Sequence, residues 1–334
     1  DIDNSNIYEV IKNYKPNYLL INNKRKVKLV DYTLINKSEE YKVFIKKKYK
    51  KININKKLAL LLSTSGSTGS TKFVKLSYEN IFSNTKNISK YLKLTKKDRS
   101  ISSLPLNYSY GLSVINTHLY KGGSIFVSER NVIDKKFWEI VNNFKISNLN
   151  GVPFFYEILS KIGFEKFNLN SIKFFTQAGG HLNNFVKEKF YNYCEKNKKK
   201  FISMYGQTEA TSRISYLDWK FAKSKIGSIG KVIPSGRMRI KRNKNKGELI
   251  YFGKNVFLGY SNNYKDLSKE DENKGILKTG DLVKKDNNGF YYIIGRKNRY
   301  IKMFGHRISL DDVEKRISEK GINCACNGFE NKLN

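Results

Sequence analysis

The chain has 334 residues, 39% of them hydrophobic, which is enough for a sizeable core and more than one structural unit. No run of eighteen uncharged apolar residues occurs, and the chain starts with a polar, acidic stretch, so neither a membrane span nor a secretory signal is expected. Cys194, Cys324 and Cys326 are too few for a disulfide framework, and the isolated C-x-C lacks further metal ligands nearby. We expect ordinary thiols and a cytoplasmic location.

The net charge of +35 raises the question of nucleic-acid binding, since basic faces bind phosphate backbones. The basic residues are mostly Lys, however, and are dispersed along the chain, with only short runs such as 46–48 and 198–200. Nucleic-acid sites favour Arg and interleaved aromatic residues on one surface. The pattern therefore favours a solvated basic surface and no nucleic-acid partner. Tight, steeply salt-dependent DNA binding would contradict this expectation.

Short apolar runs alternate with helical patterns up to about residue 224, which is typical of an α/β fold. Strands are predicted at 58–62, 124–128, 172–176 and 201–205. A helix is predicted after Ser77, with the side chains at 81, 82, 88, 91 and 92 on its apolar side. Apolar residues at helical spacing predict two more helices, through 137–144 and 185–190.

From about 225 to 297 short extended runs are broken by Gly, Pro and Asn, which predicts a β-rich subdomain with a strand at 289–294. A new strand–loop–helix unit then begins near Tyr300, with Ser309 as the helix cap.

A glycine- and hydroxyl-rich stretch, TSGSTGSTK, lies between the first predicted strand and the helix after Ser77. Glycines allow close backbone approach to an anion, hydroxyls and N–H groups donate hydrogen bonds, and Lys72 adds a positive charge. The spacing excludes the P-loop pattern GxxxxGK[ST]. A flexible linker is the alternative interpretation. The position of the stretch between a strand and a helix favours a polyphosphate site. The candidate residues are Thr64, Ser65, Gly66, Ser67, Thr68, Gly69 and Lys72.

Two further motifs carry groups suited to a nucleotide. YGQTEAT offers an aromatic ring in Tyr205, a tight turn at Gly206, a hydroxyl in Thr208 and a carboxylate in Glu209 that suits Mg²⁺. KTGDL places Asp281 after a glycine turn, where it can accept hydrogen bonds from a ribose diol. YGQTEAT alone is only moderately specific, since any strand exit may carry such a turn, and KTGDL alone is equally consistent with a residue that caps a turn.

The order of the motifs is more specific than any one of them. TSGSTGSTK, QAGGHL, YGQTEAT, GELIYFGKNVFLGY, TGDL and GRKNRYIKMFGHRISLDDVE follow one another along the chain. This order resembles the core motifs of the adenylate-forming superfamily: acyl-CoA synthetases, peptide-synthetase adenylation domains and luciferases. The resemblance covers residues from about 58 to 316. It implies an α/β fold with a large N-terminal domain and a β-barrel-like subdomain, followed by the start of a small mobile C-terminal α+β domain.

The resemblance also implies a role for each motif. The glycine-rich loop would hold the β- and γ-phosphates of ATP, with Lys72, Thr208 and Glu209 as catalytic residues and Glu209 on Mg²⁺. Gly179, Gly180 and Tyr205 would frame the adenine, with Gly206 in the adjoining turn. Thr208 would bond the α-phosphate. Asp281 and Arg296 would bind the ribose, Asn298 would be the hinge, and Gly305 would admit a thiol arm.

The resemblance implies two domains, 1–297 and 298–334. The sequence departs from the family's pattern at several points. Thr71 and Phe73 replace the usual Pro and Gly around Lys72, and Asn298 replaces the usual Asp or Lys. The chain starts close to the phosphate loop and ends before the motif with a C-terminal catalytic Lys. We therefore expect either a longer protein that lacks both ends here or a truncated relative with impaired adenylation.

The pocket for the carboxylic acid is expected at LPLNYSYG, PFF and AGGH, with Asn107, Tyr108, Gly111, Phe154 and His181 as candidates. No acidic residue occurs from 104 to 118, which disfavours an α-amino acid. His118 and His181 are more often structural than catalytic.

The sequence therefore favours an acid–CoA ligase using a small carboxylic acid, ATP, Mg²⁺ and CoA. An enzyme that loads the phosphopantetheine thiol of an acyl-carrier protein and a catalytically impaired nucleotide-binding relative remain open. The identity of the acid is also open.

Overall fold

The computed structural model describes residues 4–49, 51–63, 72–241, 245–297, 299–303, 306–318, 324–326, 328–329 and 332–333. The chain divides into two compact units. The first combines Asp1–Tyr78 with Phe257–Lys274, and the second combines Glu79–Val256 with Gly275–Asn334. Part of the segment expected to be one β-rich subdomain thus belongs with the N-terminal residues.

The regular elements follow one another in this order: α1 (Asn4–Tyr14), β1 (Tyr18–Asn22), β2 (Tyr32–Lys37), β3 (Tyr41–Lys46), β4 (Leu58–Ser63), β5 (Phe73–Ser77), α2 (Tyr78–Tyr91), β6 (Arg99–Ile101), α3 (Ser109–Tyr120), β7 (Ser124–Phe126), α4 (Lys135–Asn143), β8 (Asn148–Gly151), α5 (Pro153–Lys161), β9 (Phe174–Gln177), α6 (Asn184–Lys196), β10 (Lys200–Tyr205), β11 (Ser215–Leu217), β12 (Lys231–Val232), β13 (Arg237–Lys241), β14 (Lys246–Phe252), β15 (Gly259–Ser261), β16 (Ile276–Lys285), β17 (Tyr291–Arg296), β18 (Tyr300–Met303), β19 (His306–Ser309), α7 (Leu310–Ser318), β20 (Gly328–Phe329) and β21 (Lys332–Leu333). Among the described residues, short 3₁₀ turns lie at Phe164–Lys166, Thr208–Ala210, Trp219–Phe221 and Tyr264–Ser268. The strands and helices predicted up to residue 205 are confirmed, apart from shifts of a few residues at their ends. The strand–loop–helix unit expected from Tyr300 is a β-hairpin followed by a helix, and the side chain of Ser309 lies outside the described part.

The first unit contains two three-stranded antiparallel sheets, with the strand orders β1-β3-β2 and β15-β5-β4. Tyr14 of α1 packs its ring edge against Phe73 at 5.1 Å and donates a hydrogen bond of 2.8 Å to the carbonyl of Ser261. Lys75 on β5 is fully buried, and its ammonium group donates to the carbonyl of Asp266 at 3.1 Å. These long-range contacts attach the 257–274 segment to the N-terminal strands.

The second unit is built on a seven-stranded sheet in the order β12-β11-β10-β9-β8-β6-β7. The strands from β7 to β10 are parallel, and β11 and β12 continue the sheet in antiparallel orientation. The residues of β10 alternate between two hydrophobic cores, as expected for a strand with both faces covered. Phe201 lies in the core shared with α4, α5 and α6, whereas Ile202 and Met204 lie in the core with Tyr110 of α3.

Helix α2 forms where it was predicted, but its buried face is largely polar. Phe82, assigned to the apolar side, is 55% exposed, and Asn80, Asn84 and Asn87 are buried with Ile88. The physical reason is that this face meets loop backbone, whose carbonyls need donors. The amide of Asn80 donates to the carbonyls at 254 and 256, at 2.7 and 2.8 Å.

The predicted β-rich part is present as a four-stranded antiparallel sheet, β13-β14-β16-β17. Strand β12 instead extends the seven-stranded sheet, and β15 joins β5.

Across the described ranges, no helix combines the length and the apolar character needed to cross a membrane.

Candidate active site

The turn that follows β10 carries the YGQTEAT motif and depends on a glycine. A Cβ at Gly206 would overlap the carbonyl oxygen of Ser212 and lie 2.8 Å from the Cα of Arg213. The absence of a side chain at Gly206 thus lets the chain turn back on itself directly after the strand. The turn brings the next four residues to the carboxyl end of the sheet, where α/β proteins bind ligands.

Thr208 and Glu209 lie in the 3₁₀ turn and are both half-buried. The Thr208 hydroxyl lies 3.3 Å from the hydroxyl of Ser109, the first residue of α3. A hydroxyl and a carboxylate therefore share one short turn, the combination needed for a phosphate donor and a magnesium ligand.

This turn is followed by two residues with positive φ, Thr211 at 57° and Ser212 at 127°. Such conformations persist only where surrounding contacts impose them. Asn84 of α2 donates to the carbonyl of Thr211 at 3.1 Å. Asn255 donates to the carbonyls of Ala210 and Arg213, both at 2.8 Å. Two buried asparagines therefore hold the turn that presents Thr208 and Glu209.

Asp281 lies beside the end of β10 and is 3% exposed. Its carboxylate accepts hydrogen bonds from the hydroxyl of Tyr205 and from Nε of Arg296, the latter at 2.9 Å. Asp281 and Arg296 are direct partners across the β16–β17 ladder. Burial, followed by the adjacent Asp281 charge, holds the pKa of Tyr205 well above its ordinary value. The structure thus brings together three residues predicted to surround the nucleoside.

Gly179 and Gly180, in the loop after β9, are both exposed. Gly179 has φ +85°, and a Cβ there would overlap the hydroxyl of Tyr108. Tyr108 is half-buried, and burial raises the pKa of its hydroxyl. The glycine loop and a predicted acid-pocket residue are therefore in close contact.

The other predicted acid-pocket residues differ in exposure. Asn107, Phe154 and His181 are exposed, whereas Gly111 is buried and a Cβ there would overlap the carbonyl oxygen of Pro105. His118 is buried in α3, where Nδ1 lies 2.7 Å from the carbonyl of Val114 and Nε2 lies 3.0 Å from the amide of Asn148. Burial lowers the pKa of His118, in line with a structural role.

Lys72 is in the first unit, directly before β5, and its ammonium group lies 3.5 Å from the centroid of the Tyr260 ring. The remaining phosphate-loop candidates, residues 64–69, lie outside the described residues, as do Asn298 and Gly305. Their roles stay predictions.

Sequence reasoning missed the residues that support the turn. Asn255 lies inside the GELIYFGKNVFLGY motif and Asn84 lies on the helix after Ser77, but neither was given a role. Arg213, four residues after Glu209, was also missed, although it is 1% exposed. The spacing of Asn80, Asn84 and Asn87 on one face of α2 was the available signal for a polar contact surface.

Comparison with known proteins agrees with this architecture. The 2-succinylbenzoate–CoA ligase of Listeria innocua is 29% identical over 259 residues, covering 78% of this chain and 53% of that protein. A probable 4-coumarate–CoA ligase 3 of Dictyostelium discoideum is 29% identical over 279 residues, covering 79% and 49%. The chain thus spans about half the length of the curated relatives it matches.

Among solved structures, o-succinylbenzoate CoA synthetase from Bacillus subtilis in complex with its acyl-adenylate intermediate matches with a TM-score of 0.71. The two are 26% identical, and the match covers 84% of this chain and 58% of that one. The same enzyme in complex with ATP and magnesium ion matches with a TM-score of 0.68 at 25% identity, covering 87% and 58%. The predicted α/β fold class is confirmed.

A family model described as AMP-binding enzyme matches residues 11–261. This range includes the glycine-rich loop, the QAGGHL loop and the YGQTEAT turn. Because the match extends over well more than half of the 334 residues, the chain belongs to the AMP-binding enzyme family.

Proposed function

We propose that this chain carries the ATP- and acid-binding part of an AMP-forming acid–thiol ligase of the acyl-CoA synthetase type. The reaction would join a carboxylic acid to AMP with release of pyrophosphate and then pass the acyl group to a thiol. CoA is the proposed acceptor, because relatives that match most of this chain are named as CoA ligases. An acyl-carrier thiol is the alternative acceptor. A cytoplasmic location, first expected from the few cysteines, is part of the same proposal.

The observation that carries the proposal is the arrangement around Asp281. A buried carboxylate held by Tyr205 and Arg296 lies next to a turn that presents a hydroxyl and a second carboxylate. A fixed carboxylate can accept hydrogen bonds from both hydroxyls of a ribose, while the neighbouring turn supplies groups for phosphate and metal. This combination suits a nucleoside triphosphate better than an uncharged ligand.

In the proposed adenylation step, a carboxylate oxygen of the acid attacks the α-phosphorus of ATP. The P–O bond to pyrophosphate breaks, and pyrophosphate leaves with that electron pair. Thr208 donates a hydrogen bond to the α-phosphate as negative charge develops, and Lys72 stabilises the phosphates through its charge. Glu209 would hold a Mg²⁺ ion, which would supply positive charge beside the phosphates. The contribution of the protein is mainly positioning and electrostatic stabilisation.

The proposal is tested by acid-dependent ATP–pyrophosphate exchange, with mass spectrometry to identify the acyl-AMP. Thr208→Val keeps the shape of the side chain and removes the hydroxyl. Loss of one hydrogen-bond donor at a developing charge lowers rates by about 10²–10³-fold, and we expect a fall of this size. Two outcomes would contradict the proposal: exchange that occurs at the same rate whichever acid is added, and no exchange with any acid. Neither outcome shows activation of a specific acid.

Thr33→Val is the matched control, because Thr33 is exposed on β2 in the first unit. The control should exchange at the wild-type rate. If Thr208→Val exchanges as fast as this control, Thr208 does not touch the reacting phosphate, and the proposed orientation of ATP is wrong.

A further inference from the structure

The five parallel strands of the seven-stranded sheet, β7, β6, β8, β9 and β10, all start at the same edge of that sheet. Backbone hydrogen bonds continue beyond the strand starts. The amide of Lys173 donates to the carbonyl of Ser147 at 2.7 Å, and the amide of Lys200 donates to the carbonyl of Lys173 at 3.1 Å. The loops that lead into these strands, at 93–98, 121–123, 144–147, 171–173 and 197–199, are therefore neighbours and form one surface, which we call the basic edge.

The basic edge carries many positive charges and little negative charge. Each of its five loops has an exposed lysine: Lys97, Lys121, Lys145, Lys173 and Lys198. The carboxylate within these loops, Asp98, is 4% exposed and pairs with Lys173 at 2.9 Å. The next carboxylate along the chain from Lys198, Glu195, pairs with Lys223. Lysines that are dispersed in the sequence are thus collected on one surface by the fold.

Such a surface is electrostatically unfavourable for the chain alone. Adjacent strands start about 4.8 Å apart, which is less than the Debye length of about 8 Å at physiological ionic strength. Exposed charges of the same sign at this spacing therefore repel one another through the solvent. A partner with many negative charges would relieve the repulsion.

Large aromatic side chains adjoin the basic edge on both faces of the sheet. Tyr120, the last residue of α3, is 44% exposed, and Phe144, directly after α4, is 46% exposed. Helices α3 and α4 pack in hydrophobic cores on opposite faces of the sheet. Trp219 is 44% exposed, and the ammonium group of Lys200, the first residue of β10, lies 5.8 Å from its ring centroid. The surface therefore combines exposed rings with exposed lysines.

This combination suits the surface of an anionic bilayer. Tyr and Trp rings are favoured at the level of the lipid headgroups, and each lysine near the surface strengthens binding by about fivefold. Nucleic-acid sites favour arginine instead. Arg99, at the start of β6, donates to the carbonyl of Phe144 at 3.0 Å, so the protein itself engages this guanidinium.

We propose that the basic edge docks the chain on a membrane that contains anionic lipids, with Tyr120, Phe144 and Trp219 at the level of the headgroups. The YGQTEAT turn begins at Tyr205, the opposite end of β10. Because β10 has six residues, its two ends are about 17 Å apart. A docked chain thus keeps the candidate active site on the side away from the bilayer, where ATP reaches it from solution.

Flotation of the wild-type chain with vesicles measures this binding directly. One preparation contains phosphatidylcholine alone, and the other contains equal parts of phosphatidylcholine and phosphatidylglycerol. The chain should float with the anionic vesicles at about 0.1 M salt and be released at about 1 M, where the Debye length falls from about 10 to about 3 Å. Neither ATP nor an acid is needed, so the result is independent of the proposed adenylation. Equal binding to both preparations, or binding to neither, would overturn the inference.

Lys121→Gln/Lys145→Gln should weaken binding to the anionic vesicles by about 25-fold, because two cations near the bilayer are lost. Lys135→Gln/Lys136→Gln is the matched control. Both control lysines are exposed at the start of α4, whereas the basic edge adjoins the end of that helix. The control should bind as wild type does. An equal loss in the two double variants would show attraction by net charge alone and refute a specific edge.

Trp219→Ala should weaken vesicle binding by about 5- to 10-fold through loss of apolar contact. Phe185→Ala is the control, because Phe185 is 74% exposed but lies on α6, at the other end of the sheet. If the two variants bind equally tightly, aromatic side chains at the edge do not reach the bilayer, and the proposed docking is wrong.

A single-stranded oligonucleotide serves as the competing ligand. The chain should prefer the anionic vesicles to the oligonucleotide at the same salt concentration. A preference for the oligonucleotide that is lost in Lys121→Gln/Lys145→Gln would assign the edge to nucleic acid and overturn the inference.

Discussion

Asp281 and Arg213 are both buried charges near the turn after β10, but they differ in how the charge is compensated. Asp281 has Arg296 and the Tyr205 hydroxyl as partners within the chain. Arg213 packs against the Tyr110 ring, and its buried Nε atom has no hydrogen-bond partner among the described residues. The charge of Asp281 is therefore paired within the chain, whereas the charge of Arg213 faces an aromatic ring.

Glu209 lies in the 3₁₀ turn after β10, and its replacement should give the largest effect. Glu209→Gln keeps the shape and removes the charge proposed to hold Mg²⁺. Acid-dependent pyrophosphate exchange should fall by about 10²–10³-fold, the loss typical of one preorganised group at a developing charge. Thermal unfolding should change little, since Glu209 is only half-buried. Wild-type exchange with a normal Mg²⁺ dependence would show that the carboxylate has no metal role.

Replacing Asp281 removes the compensated charge. Asp281→Ala should weaken ATP binding by about 1.5–3 kcal/mol, the loss expected for hydrogen bonds to a charged group. The preference for ATP over deoxy-ATP should disappear, which calorimetry with both nucleotides would detect. Asp286→Ala provides a control, since Asp286 lies in the loop between β16 and β17 and pairs with Lys225 at 2.7 Å. A variant at 281 that keeps the ribose preference would reduce Asp281 to a turn residue.

Gly206→Ala tests whether both charges depend on one turn. The added methyl group would overlap the carbonyl oxygen of Ser212, and relief of such overlap costs about 1–3 kcal/mol of stability. ATP and acyl-adenylate analogues should both bind more weakly. Gly289→Ala is the comparison, because its φ is +81° but no atom lies within 4 Å of an added Cβ. Similar losses of ligand affinity in the two variants would remove the special role of the Gly206 turn.

The smallest effect is expected at Tyr260. This residue extends the comparison of Asp281 and Arg213 to a third charged residue, Lys72. Lys72, like Arg213, packs on an aromatic ring, but it is only half-buried. Tyr260→Leu should weaken ATP binding by about 0.5–1 kcal/mol, the value of an exposed cation–π contact. Tyr260→Phe keeps the ring and should bind ATP as wild type does. If the Phe and Leu variants behave alike, the ring does not orient Lys72.

Much of the fold could be predicted because local patterns were clear. The apolar run at 58–62 and the helical spacing of Phe137, Trp138 and Val141 each gave a correct element. The division into units could not be predicted from these patterns. Strand β15 pairs with β5 about 185 residues earlier in the chain, and no local pattern encodes such a pairing. The domain limits at 297 and 298 stay a prediction.

The candidate site was predicted where motifs carry reactive groups and missed where residues only support them. Tyr205 and Asp281 were assigned separately and lie in contact. Asn84 and Asn255 were missed, because an asparagine in a helix or loop is ordinarily solvated. Their burial follows from the carbonyls of the turn, which need donors that no neighbouring strand provides.

The sequence by itself determined the order of the phosphate, adenine and ribose motifs, since each needs particular side chains at short spacing, and this order was sufficient to indicate the family. Only the tertiary structure decided which charges are compensated. Arg213 and Asp281 are 68 residues apart, and their partners come from other helices and strands. The stability of a charge depends on its distance to partners and to water, and both distances are fixed only when the chain has folded.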